Sequence, residues 1–254
     1  MQIAILTVGE ELLAGETENT NASWLARELA ERGATVARIL VVPDDPDTIA
    51  ERVRDWSATF DAVLVTGGLG GTHDDVTVEG VAGALDREVV VDPAALDAVT
   101  ESARAFAEAN PDVVDEYDLE IDLEAWAELP AGARVLDNPA GLAPGCSVGN
   151  VYVLPGVPDE MRATFAGVAG EFDGDVVSET VYTDAPEGSM VSTLGDLRDR
   201  FDVVVGSYPA PRGESNRVKV SGTDREVVRR ATAWLRDRIA VADPDERNRR
   251  DADR

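Results

Sequence analysis

Two adjacent carboxylates come soon after four glycines in residues 66–77, which we call the glycine loop. The segment reads Thr-Gly-Gly-Leu-Gly-Gly-Thr-His-Asp-Asp-Val-Thr. An apolar run precedes the loop and a helical pattern follows it, so backbone N–H groups could face an anion. Asp74 and Asp75 would repel a phosphate unless a divalent cation lay between them. The loop therefore predicts a site for a phosphorylated ligand and a metal ion. The residues that would contact the ligand are Gly67, Gly68, Gly70, Gly71 and Thr72.

The glycines alone are equally consistent with a tight strand-to-helix turn. The surrounding pattern is more informative. Near-continuous apolar runs at residues 3–8, 36–42, 62–66 and 151–154 have the length of strands, and amphipathic helical segments separate the first three. This alternation predicts a parallel sheet covered by helices on both faces.

Ligands of open parallel sheets collect at the carboxyl ends of the strands. Polar or glycine-containing segments follow four of the predicted strands, so we expect them to share one rim. The residues concerned are Glu11, Asn19, Asn21, Asp44, Asp75, Pro155 and Gly156.

Some of these residues also have structural explanations. Asp45 is expected to cap the helix that starts at Pro46, whereas Asp44 lacks that role. Thr77 is expected to cap the helix after the glycine loop, which would leave Asp75 for a metal ion. Asn19 and Asn21 either cap the first helix or contact a nucleotide, and the pattern does not separate these alternatives.

Other nucleophilic chemistry is disfavoured. His73 is the chain's single histidine, and a loop position near the phosphate site is favoured over proton transfer. With no serine elbow, a Ser-His-Asp hydrolase is excluded. Cys146 is the single cysteine, which excludes an internal disulfide and a cysteine-based zinc site. A small buried residue is the favoured interpretation of Cys146.

The charge is strongly acidic. The 254 residues include 50 Asp or Glu and 23 Lys or Arg, for a net charge of −27, and Lys219 is the single lysine. Adaptation to high intracellular salt is favoured over a basic partner, because the acidic residues are spread along the chain. No cluster of Lys or Arg precedes the tail, which argues against nucleic-acid binding. No apolar run approaches the length of a membrane span, so a cytoplasmic location is expected.

The pattern changes after residue 171. Residues 92–129 are expected to form a helix and an acidic excursion. Strand and helix patterns then alternate in the order β-α-β-β-α, which predicts a small α+β domain of ferredoxin-like type. We therefore expect domains at 1–170 and 175–241, followed by a disordered tail at 242–254.

Six motifs in order resemble the CinA family, the competence/damage-inducible proteins. Besides the glycine loop, they are Val-Gly-Glu-Glu-Leu-Leu-Ala-Gly, Asn-Thr-Asn, Val-Pro-Asp-Asp, Asn-Pro-Ala-Gly-Leu-Ala-Pro-Gly and Leu-Pro-Gly-Val-Pro-Asp-Glu-Met. The N-terminal part of that family belongs to the MoaB/Mog-like molybdopterin-binding superfamily. The resemblance covers residues 1 to about 170, and the region that follows resembles the family's middle domain less specifically.

The resemblance implies a three-layer α/β/α fold that binds a nucleotide-like ligand. In the CinA group this domain is associated with metal-dependent cleavage of ADP-ribose and related nucleotide diphosphates. By position, Asp75 and Asp44 would be the catalytic and metal-binding residues, while Glu11 and Gly141 fall in family motifs at the ligand site. The implied ions are Mg²⁺, Mn²⁺ or Co²⁺, with K⁺ as an additional candidate, and the implied assembly is a homo-oligomer.

Two departures from the family matter. Gly71 stands where the family usually has proline. The chain also stops before the family's nicotinamide-nucleotide amidase domain, so that activity is not expected. The leading hypothesis is a metal-dependent nucleotide pyrophosphatase. The alternatives are a molybdopterin-binding or adenylyl-transferring protein of molybdenum cofactor synthesis, and a nucleotide-binding module without catalysis.

Overall fold

A computed structural model describes residues 1–70, 75–112, 122–211 and 214–243. The chain divides into two compact units, Met1–Gly174 and Asp175–Arg254, and each is described by itself. Residues 71–74 of the glycine loop, which were predicted to lie near the ligand, are outside the described residues. Parts of the predicted acidic excursion and most of the predicted tail are outside them as well.

The first unit contains a six-stranded sheet. In sheet order its strands are β2 (Thr35–Val42), β1 (Gln2–Val8), β3 (Ala62–Thr66), β8 (Val151–Leu154), β7 (Gly145–Val148) and β6 (Arg134–Leu136). Its first four members run parallel, which confirms the predicted parallel core. The last two are antiparallel additions that the sequence pattern did not predict.

Helices cover both faces of this sheet. Alternate residues of β1 enter opposite cores, since Leu6 and Val8 belong to one apolar cluster and Ile3 and Ile5 to the other. The first cluster includes residues of α3 (Pro46–Ser57), α4 (Thr77–Ala84) and α5 (Pro93–Ala109). The second includes residues of α2 (Thr20–Glu31) and α6 (Pro158–Val168). The fold is therefore the expected three-layer α/β/α arrangement.

Local sequence signals set several helix ends, and the capping role predicted for Asp45 is confirmed. Asp45 accepts a hydrogen bond from the Thr48 N–H at 2.8 Å and so caps α3. Hydrogen bonding from the Thr48 side chain, and then from this N–H, lowers the pKa of Asp45. Asn19 accepts from the Ala22 N–H at 3.0 Å and caps α2. Gly33 has a φ of 80° just beyond the end of α2, where a side chain would be strained.

Shorter elements complete the first unit. They are α1 (Glu10–Leu13), the paired strands β4 (Val89–Val91) and β5 (Glu128–Pro130), and 3-10 turns at Ala125–Ala127 and Ala169–Phe172. Helix α5 lies within the region predicted to be helix and acidic excursion.

The second unit has the predicted β-α-β-β-α order and is an α+β fold of ferredoxin-like type. It comprises β9 (Val177–Thr183), α7 (Glu187–Arg200), β10 (Val204–Tyr208), β11 (Asn216–Gly222) and α8 (Arg225–Arg236). The sheet is antiparallel with the order β10-β11-β9. Val241 forms an isolated antiparallel bridge with Thr183, at the sheet edge where a ferredoxin-like fold places a fourth strand.

No helix within the described ranges is both long enough and apolar enough to cross a membrane.

Candidate functional site

A cleft with a volume of about 260 Å³ lies at the carboxyl ends of β1, β2, β3 and β8. The structure thus brings together most of the residues that were predicted to share one rim. Pro155 does not line the cleft. The predicted rim residues that line it are Glu11, Asn19, Asn21, Asp44, Asp75 and Gly156, and Gly67 and Gly68 of the glycine loop line it as well.

Gly67 has a tight structural role at the floor of the cleft. Its φ is 103°, and a Cβ at this position would collide with the carbonyl oxygen of Val8. Its N–H donates to the carbonyl of Leu154 at 3.3 Å. This N–H therefore joins β3 to β8, which corrects the expectation that it would hold a phosphate.

Thr77 fixes the position of the glycine segment. It is fully buried, its Oγ1 donates to the carbonyl of Gly67 at 2.8 Å, and its N–H donates to the carbonyl of Gly68 at 3.3 Å. The expectation that Thr77 caps the helix is wrong, because Thr77 is already the first residue of α4 and Val76 occupies the capping position. The hydroxyl instead faces back toward the loop.

Asp44 extends from the end of β2 toward the same segment. One carboxylate oxygen, Oδ2, accepts a hydrogen bond from the Glu10 N–H at 3.0 Å. The other, Oδ1, would lie 3.6 Å from a Cβ built on Gly68. Asp44 is thus held by the start of α1 with one oxygen near the glycine segment.

Asp75 lies at the boundary between the cleft and a neighbouring depression. Its carboxylate packs so closely on Gly70 that a Cβ there would collide with it. Gly70 lines the depression, which also contains Trp126, and it does not line the cleft. Asp75 therefore lines the cleft, and Gly70 packs against its carboxylate.

Asn21 has a positioning role rather than the capping role left open by the sequence. Its Nδ2 donates to the carbonyl of Gly156 at 2.7 Å and lies 3.4 Å from Oγ1 of Thr66. Thr66 in turn donates to the carbonyl of Pro155 at 2.7 Å. These bonds hold the Pro155-Gly156 turn beside β3. Thr66 was not predicted, since a threonine at a strand end has no distinctive sequence signal.

Gly141 does not line the cleft. It packs against the carboxyl group of Glu160, and a Cβ there would collide with that group. Glu160 accepts a hydrogen bond from Asn138 Nδ2 at 2.8 Å. Gly141 thus supports a loop beside α6. The predicted residues Gly71, Thr72, His73 and Asp74 lie outside the described residues.

The cleft combines carboxylates with the N-termini of helices. Glu11, Glu18, Asp44 and Asp75 line it, and among its described lining residues none is Lys or Arg. Thr20 and Pro158, the first residues of α2 and α6, also line it, and α4 begins two residues after Asp75. These N-termini attract anions, whereas the carboxylates attract cations. In the described ranges, no three His, Cys, Asp or Glu side chains are grouped so that they could hold a metal ion alone.

Cys146 lies in β7 and is fully buried. Burial raises the pKa of its thiol to about 12. A thiol in this environment remains protonated, which confirms the prediction of a small core residue rather than a nucleophile.

Comparisons with known proteins found similarities for both units. Residues 4–172 match the family described as "Probable molybdopterin binding domain", and residues 175–243 match "FAD synthase, middle domain". A protein of Archaeoglobus fulgidus is 39% identical over 233 residues, which are 91% of this chain and 95% of that protein. A CinA-like protein of Desulforapulum autotrophicum is 39% identical over 228 residues, which are 83% of this chain and 52% of that protein.

A solved structure also matches the chain. The crystal structure of the protein CinA with unknown function from Thermoplasma acidophilum is 35% identical, with a TM-score of 0.59. The match covers 68% of this chain and 99% of that one.

Proposed function

The chain belongs to the CinA-like proteins that carry a MoaB/Mog-like, probable molybdopterin-binding domain, and on that premise we propose that it is a metal-dependent nucleotide pyrophosphatase. Its substrate is ADP-ribose or a similar nucleotide diphosphate. The reaction adds water across the phosphoanhydride bond, so that ADP-ribose yields AMP and ribose 5-phosphate.

The observation that carries this proposal is the charge of the cleft. Helix N-termini favour a phosphorylated ligand there, but the carboxylates of Glu11, Glu18, Asp44 and Asp75 would repel it. No Lys or Arg among the described lining residues offsets that repulsion. A diphosphate is accommodated when a divalent cation accompanies it.

The donor set fits such an ion. Asp44 and Asp75 offer carboxylate oxygens, the ligands that Mg²⁺ and Mn²⁺ prefer. Two carboxylates without a third are sufficient because Mg²⁺ is commonly held by one or two carboxylates together with substrate phosphates and water. When bound, the ion would offset the charge on the phosphate oxygens and help to activate water.

The protein groups around this position have distinct tasks. The Glu10 N–H holds Asp44 through one oxygen and leaves the other directed toward the glycine segment. Gly70 leaves room for the Asp75 carboxylate, which a larger residue would displace. The helix N-termini would orient the diphosphate, and Asn21 keeps the Pro155-Gly156 turn in place at the rim.

A second candidate function is supported by the match of residues 4–172 to the molybdopterin-binding family. In this alternative, the cleft holds a phosphorylated pterin and the protein transfers an adenylyl group from ATP. Both candidates place an anionic phosphate at the same helix N-termini, and they differ in whether a diphosphate is hydrolysed or formed.

The test is incubation of the full chain with ADP-ribose in molar KCl, with Mg²⁺, Mn²⁺, Co²⁺ or EDTA in parallel. AMP release with a divalent ion and none with EDTA is expected. Absence of AMP under all conditions would reject the pyrophosphatase. Adenylylation of molybdopterin by ATP in the same preparation would then establish the second function, and binding without turnover of either ligand would establish a module without catalysis.

A further inference from the structure

The charge of the chain is divided unevenly between its two units. Residues 175–254 hold 14 of the 23 basic residues but only 16 of the 50 acidic residues. The first unit therefore carries a net charge of −25 and the second only −2. Adaptation to salt explains acidic surfaces, but it does not explain why basic residues gather in the smaller unit.

One face of the second unit's sheet is covered by helices. Val181, Val218 and Val220 are buried in a cluster with residues of α7 and α8. Side chains alternate along a strand, so the intervening residues of β9, β10 and β11 lie on the opposite face. We call this the outer face. Among the described residues of this unit, no helix contributes to a core on it.

Strand register places aromatic and basic residues together on the outer face. Tyr208, Arg217 and Tyr182 form one row across the three strands, and Gly206, Lys219 and Thr180 form the next. Lys219 is the single lysine of the whole chain. These six positions carry two cations and no carboxylate, in a protein whose acidic residues outnumber the basic ones by more than two to one.

The Tyr208 ring is presented as a flat surface. A Cβ built on Gly206 would lie 2.6 Å from the Tyr208 hydroxyl and 2.8 Å from ring carbon Cε2, so the ring lies across Gly206. The Arg217 guanidinium carbon is 5.9 Å from the centre of the same ring. Tyr208 is 47% exposed and Arg217 is also exposed, so both groups can meet a ligand. A planar base could stack on this ring.

We propose that the outer face is a second ligand site and that it binds a dinucleotide, two nucleosides joined by a diphosphate. Arg217 and Lys219 are two residues apart on one strand, so their Cα atoms are about 7 Å apart, and each can meet one phosphate. Tyr182 and Tyr208 lie on the two strands beside Arg217, one on each side of it, and their Cα atoms are about 10 Å apart. The two rings therefore flank the cations as two bases flank a diphosphate.

The charge of the rest of the molecule favours a short ligand. A long polyanion would be repelled by a chain whose net charge is −27. A dinucleotide places only two negative charges at the local cations. Single-stranded nucleic acid is therefore the disfavoured occupant.

The test uses the full chain in EDTA and a non-hydrolysable probe, diadenosine methylenediphosphonate, in equilibrium dialysis. Binding with a Kd below about 1 mM is expected. The double variant R217Q/K219Q should weaken binding at least about tenfold, and Tyr208→Leu about fivefold or more. Arg236→Gln, which removes an exposed arginine from α8, should leave the Kd unchanged. Equal melting temperatures would show that each variant is folded.

The result can be separated from that for the catalytic cleft. Asp75→Asn should not alter probe binding, whether or not the protein is a pyrophosphatase. The proposal fails if the wild-type chain does not bind the probe, if R217Q/K219Q binds as well as wild type, or if only Asp75→Asn abolishes binding. It also fails if a ten-nucleotide single-stranded RNA binds this face more tightly than the dinucleotide probe.

Discussion

The hydroxyl of Thr77 donates a 2.8 Å hydrogen bond to the carbonyl of Gly67, ten residues earlier in the chain. Both the donor and the acceptor of this bond are buried. The bond joins the first residue of α4 to the end of β3, so the intervening loop is closed at its base. We infer that it sets the position of Asp75 relative to the cleft.

Replacing Thr77 with Val should destabilise the protein by about 1–3 kcal/mol, because the side-chain volume is retained while the Gly67 carbonyl loses a buried donor. Urea unfolding measures this change. Thr100→Val is the matched control, since the Thr100 hydroxyl donates to a carbonyl at an exposed position within α5. The control should cost less than about 0.5 kcal/mol. Equal costs in the two variants would show that the Thr77 bond is not important.

Replacing Gly68 with Ala should be more costly than replacing Gly149. The φ angles are 61° and 60°, so both substitutions carry the same backbone strain, about 1–2 kcal/mol. A Cβ on Gly68 would in addition collide with the Thr77 hydroxyl, whereas at Gly149 nothing lies within 4 Å. Thermal unfolding should show a larger loss for Gly68→Ala by about 1–3 kcal/mol. Similar losses would mean that the loop moves aside without cost.

The sequence predicts the central parallel strands because buried parallel strands are continuous apolar runs with helical patterns between them. Strands β6 and β7 were missed because each has only three or four residues, and they pair as an antiparallel extension that no periodicity reveals. The Asp45 cap was predicted because an aspartate followed by a proline at the first helical position is a local signal, whereas the Thr77 prediction failed because its hydroxyl bonds to Gly67 instead.

The difference between local signals and long-range contacts also explains which features of the cleft the sequence could predict. Strand-end position was sufficient to group Glu11, Asp44 and Asp75 on one rim. It could not show that the Gly67 N–H is used within the sheet, because that depends on β8, almost ninety residues away along the chain. Gly141 was included through its motif, and its contact is with Glu160 outside the cleft. Membership of a motif therefore shows that a residue matters to the protein. It does not show whether that residue contacts a ligand or packs against its neighbours.

Cys146 should resist thiol reagents in the folded protein. Its pKa is raised to about 12 by burial, so at pH 8 its thiolate is suppressed about a thousandfold relative to an exposed cysteine. Ellman's reagent should modify the unfolded chain stoichiometrically within minutes and the native chain at least about a thousand times more slowly. Rapid labelling under native conditions would contradict the buried position.

Stability should rise with salt if the acidic surface reflects adaptation to a saline interior. The Debye screening length falls from about 10 Å at 0.1 M salt to about 3 Å at 1 M, which weakens the self-repulsion of a chain with a charge of −27. Thermal melting in 0.1 M and 2 M KCl should show an increase of several degrees, and a neutral osmolyte at equal osmolality should give a smaller one. The same melting temperature at both KCl concentrations would reject adaptation to a saline interior.

The most direct test of the proposed pyrophosphatase compares AMP release from ADP-ribose by the wild-type chain and by Asp75→Asn, with a saturating divalent ion. We expect kcat to fall by about a hundredfold or more in Asp75→Asn, with an unchanged melting temperature, because the neutral amide would hold the divalent ion much more weakly than the carboxylate does. Asp47→Asn, which alters an exposed carboxylate of α3 outside the cleft, should retain full activity. Full activity in folded Asp75→Asn would contradict the proposed mechanism.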